Sequence, residues 1–137
     1  MRTVLFAAAS VLIATAFPAQ ARSPVPVVNF ANQAVATASG ATPTFAQVRE
    51  AIIKAAASKE WALARQADDQ FLATRVIKGK HTIVTYVSFT ANAYSVYYHS
   101  SENMKFTMVN DVPYIHPNYN VWARELVEAI RLEVSKL

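Results

Sequence analysis

Three histidines, His81, His99 and His116, and the amide-phenol-amide run Asn118-Tyr119-Asn120 are the side chains of this sequence with the most chemistry to offer. A neutral imidazole is both a common metal ligand and a common general base, so spacing decides what the histidines can do. No two of them stand at ligand spacing, and between Asp69 and Asp111 the only acid is Glu102. Neither a metal nor any other cofactor is expected. Reactions that declare themselves by motif are missing too: the chain has no cysteine, no Gly-x-Ser-x-Gly elbow and no His-Glu-x-x-His pair, and Gly40 and Gly79 are too few for a phosphate-cradling loop. No catalytic residue is assigned. The enzymatic alternative is a small hydrolase or transferase in which His116 or His99 works beside a carboxylate.

The run after Pro117 reads in two ways. Pro117 suits the first turn of a helix and Asn118 can cap it, so His116, Asn118 and Asn120 form a candidate anion seat at a helix N-terminus. The structural account has the same side chains satisfying the orphan amides of that helix. Capping explains the residue types without a ligand and is favoured.

All six tyrosines lie between Tyr86 and Tyr119. Most sit in two runs of β-branched and aromatic residues, His81 to Phe89 and Tyr94 to His99, whose alternation predicts strands. If Ile83, Val87 and Phe89 with Tyr94, Val96 and Tyr98 face a core, then Val84, Tyr86, Tyr97 and His99 face the other way. Tyrosine offers large contact area, few rotatable bonds and a polar tip, so these four make the candidate ligand or partner surface.

Two further strands are expected at Trp61 to Gln66 and Phe71 to Ile77, joined at Ala67-Asp68-Asp69-Gln70 and ended by Lys78-Gly79-Lys80. Short connections force antiparallel neighbours, which predicts a four-stranded meander. Helices flank it. Thr44 with Gln47 makes a capping box ahead of a Phe45/Val48/Ile52/Ala55/Ala56 stripe over about Phe45 to Lys59. Trp122, Leu126, Ile130 and Val134 recur every four residues in the last helix, and the Trp122 indole is expected in the core. The fold class expected is α+β, with both helices on one face of the sheet and the other face open to water.

Residues 44–137 form the single domain in this reading. Residues 22–43, uncharged after Arg22 and carrying Pro24, Pro26 and Pro43, are expected to be a flexible linker. Residues 1–21 have the order of a cleaved signal peptide: Arg2, the apolar run Val4 to Ala16, then Ala19-Gln20-Ala21. The run is too short for a stable membrane span, and cleavage leaves a periplasmic or secreted protein. A formal net charge of +4 is mild, and the cations are spread along the chain, which argues against nucleic acid as a partner.

The residues Ser101-x-Asn103-Met104-x-Phe106, then Ile115-His116-x-Asn118-Tyr119-Asn120-x-Trp122, then Leu126 and Ile130 also carry a resemblance. The string is similar to the C-terminal signature of a family of small uncharacterised exported proteins and lipoproteins of Gram-negative bacteria, over roughly Trp61 to Ile130. The resemblance implies an α+β domain outside the cytoplasm and supplies no catalytic residues. The lipid-attachment cysteine of many members is missing here. The expectation is a non-enzymatic binding module that meets an envelope protein partner, or a copy of itself, through its aromatic sheet face.

Overall fold

The structure is a computed structural model that describes residues 22–137; the expected signal peptide, residues 1–21, lies outside them. Its elements run β1 (Val25–Pro26), β2 (Phe30–Ala34), α1 (Phe45–Ser58), β3 (Ala62–Ala67), β4 (Gln70–Ile77), β5 (His81–Phe89), β6 (Ala93–Glu102), β7 (Thr107–Val109), β8 (Val112–Ile115) and α2 (Pro117–Ser135). The fold is α+β, and every strand pair is antiparallel.

Local chemistry sets most of these boundaries. The Thr44 hydroxyl accepts from Gln47 N at 3.1 Å while Gln47 Oε1 accepts from Thr44 N at 2.8 Å, so the capping box opens α1 as expected. Glu60, at φ 63, ends the helix and turns the chain into β3. Lys78 and Gly79 both take positive φ between β4 and β5. The Thr90 hydroxyl accepts from Ala93 N at 3.1 Å in the turn between β5 and β6.

Alternation along β5 and β6 then builds the core. Ile83, Val87, Phe89, Tyr94 and Val96 are buried against Val48 and Ile52 of α1 and Leu126 and Ile130 of α2. Each such side chain contributes about 1.5–3 kcal/mol by leaving water. Phe45 stacks on Phe89 at 4.8 Å, and the Tyr94 hydroxyl donates to Val127 O at 3.1 Å, so both helices are fastened to the same sheet face. Among the described residues, every fully buried core residue lies between Val48 and Val134.

Three expectations are corrected. The sheet is not a four-stranded meander: β3 to β6 follow one another, but β2 adds a fifth strand beside β6, and β1, β8 and β7 form a second, three-stranded sheet. Residues 22–43 are not a free linker, because β1 pairs with β8 and β2 with β6. Proline does not prevent this, since β1 is a two-residue edge strand whose Pro26 needs no ladder donor on its outer side. The arm is also held by long-range bonds that composition cannot foretell: Asn29 Oδ1 accepts from Tyr98 N at 2.9 Å, and Ala38 N donates to Ser135 O at 2.9 Å.

The third correction concerns Trp122, which is only half-buried, with Arg75 over its ring at 5.9 Å. Tyr119 holds the central place instead and is fully buried, its ring edge-on to Tyr98 at 5.3 Å.

Candidate functional site

Pairing of β5 with β6 brings Tyr86 directly opposite Tyr97. Both project from the sheet face away from the helices, since their neighbours Val87 and Val96 are in the core. A β-bulge then adds one residue to β6: Val84 pairs with Ser100 and Thr85 with Tyr98, leaving His99 unmatched. His99, two residues beyond Tyr97, lies on the same side as Tyr86, and the two rings meet edge-on at 4.6 Å. Val84, Tyr86, Tyr97 and His99 are thus brought together as the alternation predicts, with Tyr97 and His99 exposed and Val84 and Tyr86 half-buried.

The face extends across β4. Leu72 pairs with Tyr86 and Thr74 with Val84, so the tyrosines continue into an apolar and hydroxyl surface without a charged side chain among these positions. Among the described residues no helix covers it. At one end the arm folds over the margin, where the Ser95 hydroxyl accepts from Asn32 N at 2.9 Å.

The second candidate is dispersed by its own hydrogen bonds. His116, not Asn118, caps α2: its Nδ1 accepts from Asn118 N at 3.1 Å. The expected Asn118 cap lies two residues too late, because Pro117, with its fixed φ, already occupies the first helical position and leaves His116 as the cap. Asn120 faces the arm, where its Nδ2 donates to Pro26 O at 3.0 Å and its Oδ1 accepts from Val28 N at 2.9 Å. His116 and Asn120 are therefore spent on the fold rather than turned to a common seat. Burial, the Lys105 and Arg22 cations and the His81 ring all push His116 below the ordinary imidazole range.

The other histidines stand apart. His81 Nδ1 lies 2.7 Å from Asn103 O, and His99 Nδ1 lies 2.8 Å from the hydroxyl of its chain neighbour Ser100. Among the described residues no three of His, Asp and Glu converge as a metal site would require. A groove of about 570 Å³ runs along the outer side of α2 past Val121, Arg124, Glu128 and Leu132; its wall is largely apolar with charged side chains along it, and none of the three histidines lines it.

Sequence reasoning missed the β7–β8 hairpin. Its signal was present, since Asn110-Asp111 separates two short runs rich in β-branched and aromatic residues. Both turn residues take positive φ, 49° and 63°, as a two-residue hairpin of the right twist requires.

Fold and surface together define a small α+β protein that displays an uncharged, tyrosine-rich sheet face. Compared with known proteins, the chain matches no family model, no curated protein and no solved structure.

Proposed function

We propose that the protein is an exported, non-enzymatic binding module, periplasmic or secreted, that captures an envelope protein partner or a second copy of itself through the sheet face centred on Tyr86, Tyr97 and His99. One observation carries this reading: the two tyrosines are cross-strand neighbours, braced by His99 at 4.6 Å, on a face that no helix among the described residues covers. Rings held by a sheet lose little rotamer freedom on contact, so their area converts efficiently into affinity.

The hydrolase or transferase alternative through His116 or His99 asks for a carboxylate that orients the imidazole. His116 Nδ1 is occupied by Asn118 N, and the His99 nitrogen near a partner meets Ser100. This favours binding.

The test is a double variant, Tyr86→Thr with Tyr97→Thr, compared with wild type by light scattering and by capture from exported fractions. Retained circular dichroism with lost self-association or lost capture is the expected result. Association equal to wild type in a folded double variant would remove the sheet face from consideration.

A further inference from the structure

Apolar exposure elsewhere is concentrated in the β7–β8 hairpin. Phe106, Met108, Val109 and Val112 are 41, 54, 45 and 45 % exposed, within seven consecutive residues. Strand β7 is the outer edge of its sheet and pairs only with β8. Met108 lies opposite Pro113 and Val109 opposite Val112, so strand alternation sends one pair to each side of the ribbon. Apolar side chains are therefore uncovered on both sides of the ribbon, a larger local exposure than a solvated hairpin needs.

The base of the same hairpin is cationic. His116 N donates to Met104 O, which seats Lys105 beside the start of α2. Asn103 joins the cluster by donating to Lys80 O and by meeting the His81 ring. Arg22 lies three residues before β1, the strand paired with β8. The cations Lys105 and Arg22 both act on His116, and the positive end of the α2 dipole points the same way. Glu102 and Asp111 are the nearby acids.

We propose that the β7–β8 hairpin docks the protein on a lipid surface bearing anionic headgroups, with Met108, Val109 and Val112 in the acyl boundary and Arg22, Lys80 and Lys105 among the headgroups. A fluid boundary can cover both sides of a ribbon, whereas a rigid protein surface covers one. The two valines, Val109 and Val112, add aliphatic area of the kind that enters an acyl boundary, beside the cationic base that suits anionic headgroups. Asp111 sets the depth: its carboxylate stays in the headgroup layer, so the contact is shallow and interfacial. This agrees with the described residues holding no helix long and apolar enough to cross a membrane. The surface is separate from the sheet face, because Phe106 stacks at 4.8 Å on Tyr98, whose ring lies on the helix side of β6.

Flotation of the chain 22–137 with vesicles of phosphatidylcholine, alone or with phosphatidylglycerol, tests the proposal. The protein should float with the anionic vesicles, less so at high salt, and hardly at all with the neutral ones. Met108→Ser with Val109→Ser should lower partitioning by about tenfold or more. Lys105→Gln should lower it by about fivefold, and Asp111→Asn should raise it. These positions are exposed, so melting curves should be unchanged; should the double variant melt early, Lys105→Gln and Asp111→Asn still decide by moving binding in opposite directions. Wild-type protein that stays in the lipid-free fraction with both vesicle types overturns the proposal, as does a folded double serine variant that floats like wild type. A wild-type dimer abolished by the serine substitutions would assign the hairpin to a second copy instead and would equally overturn it.

Discussion

Asn120 and Val28 stand 92 residues apart in the chain and are joined at 2.9 Å, the Asn120 side-chain oxygen accepting from the Val28 amide while its Nδ2 holds Pro26 O. One amide side chain thus satisfies both a donor and an acceptor of the arm at the end of β1. Asn120→Ala should free Pro26 to Val28 and cost about 1–2 kcal/mol, with hydrogen exchange accelerated at Val27 and Val28. Unchanged exchange there would show that β-pairing alone holds the arm.

Tyr119 and Trp122 should differ sharply on truncation. Tyr119 is fully buried, so Tyr119→Ala should cost about 3–5 kcal/mol in denaturant unfolding. The half-buried Trp122 should cost less, about 1–2 kcal/mol. Tyr119→Phe is the sharper experiment. The buried hydroxyl has no hydrogen-bond partner, and burial pushes its ionisation far up, so removing it should be neutral or stabilising within about 1 kcal/mol.

Thr85 is a second such position, fully buried with an unpartnered Oγ1. Thr85→Val keeps the branched shape and removes the desolvated hydroxyl, so stability should rise by about 1 kcal/mol, read as about 4 °C in Tm. A loss of stability would mean that the hydroxyl has a partner in solution.

Acid should weaken the start of α2. His116 titrates below its ordinary value, so the unfolded chain binds a proton at a higher pH than the folded one does. Stability from this group is therefore complete above about pH 6.5 and falls as pH drops through the window between the ordinary imidazole value and the lowered one. Protonation also fills Nδ1, the acceptor that caps Asn118 N. His116→Asn supplies an acceptor that does not titrate, and it should flatten the dependence of Tm on pH between about 7.5 and 5. An equally steep profile in the variant would place the acid-sensitive group elsewhere.

The Tyr86 and Tyr97 pair should matter little to stability. Both flank solvent, and cross-strand pairs contribute about 0.2–1 kcal/mol, so Tyr86→Thr should shift the unfolding midpoint only slightly. A large loss would mean that this face is covered in the folded protein.

What the sequence determined by itself is what short-range chemistry controls. The Thr44 and Gln47 capping box, the two-residue alternation that sends Ile83 and Val87 inward and Tyr86 outward, and the tight turns from β3 to β6 depend on residues within a few positions of one another. The facing of the β5 and β6 side chains, and with it the grouping of the tyrosines on one side, followed from these, whereas the bulge at His99 did not. The buried stripe of α2 was legible only in part: strict four-residue steps drift by about 40° each, whereas Tyr119, Ala123, Leu126 and Ile130 track the 3.6-residue turn. That drift is why Trp122 falls at the margin and Tyr119 at the centre. Tertiary structure decided the rest. The arm is apolar but aperiodic, and its place is set by partners far along the chain, Val96 for Phe30, Tyr98 for Asn29 and Asn120 for Val28. The base of the hairpin likewise brings Lys105 and Arg22 to His116 and ties Asn103 to Lys80 O, from segments far apart in the chain. Loop closure of that length leaves no periodic trace in the chain, so only the folded molecule shows which residues meet.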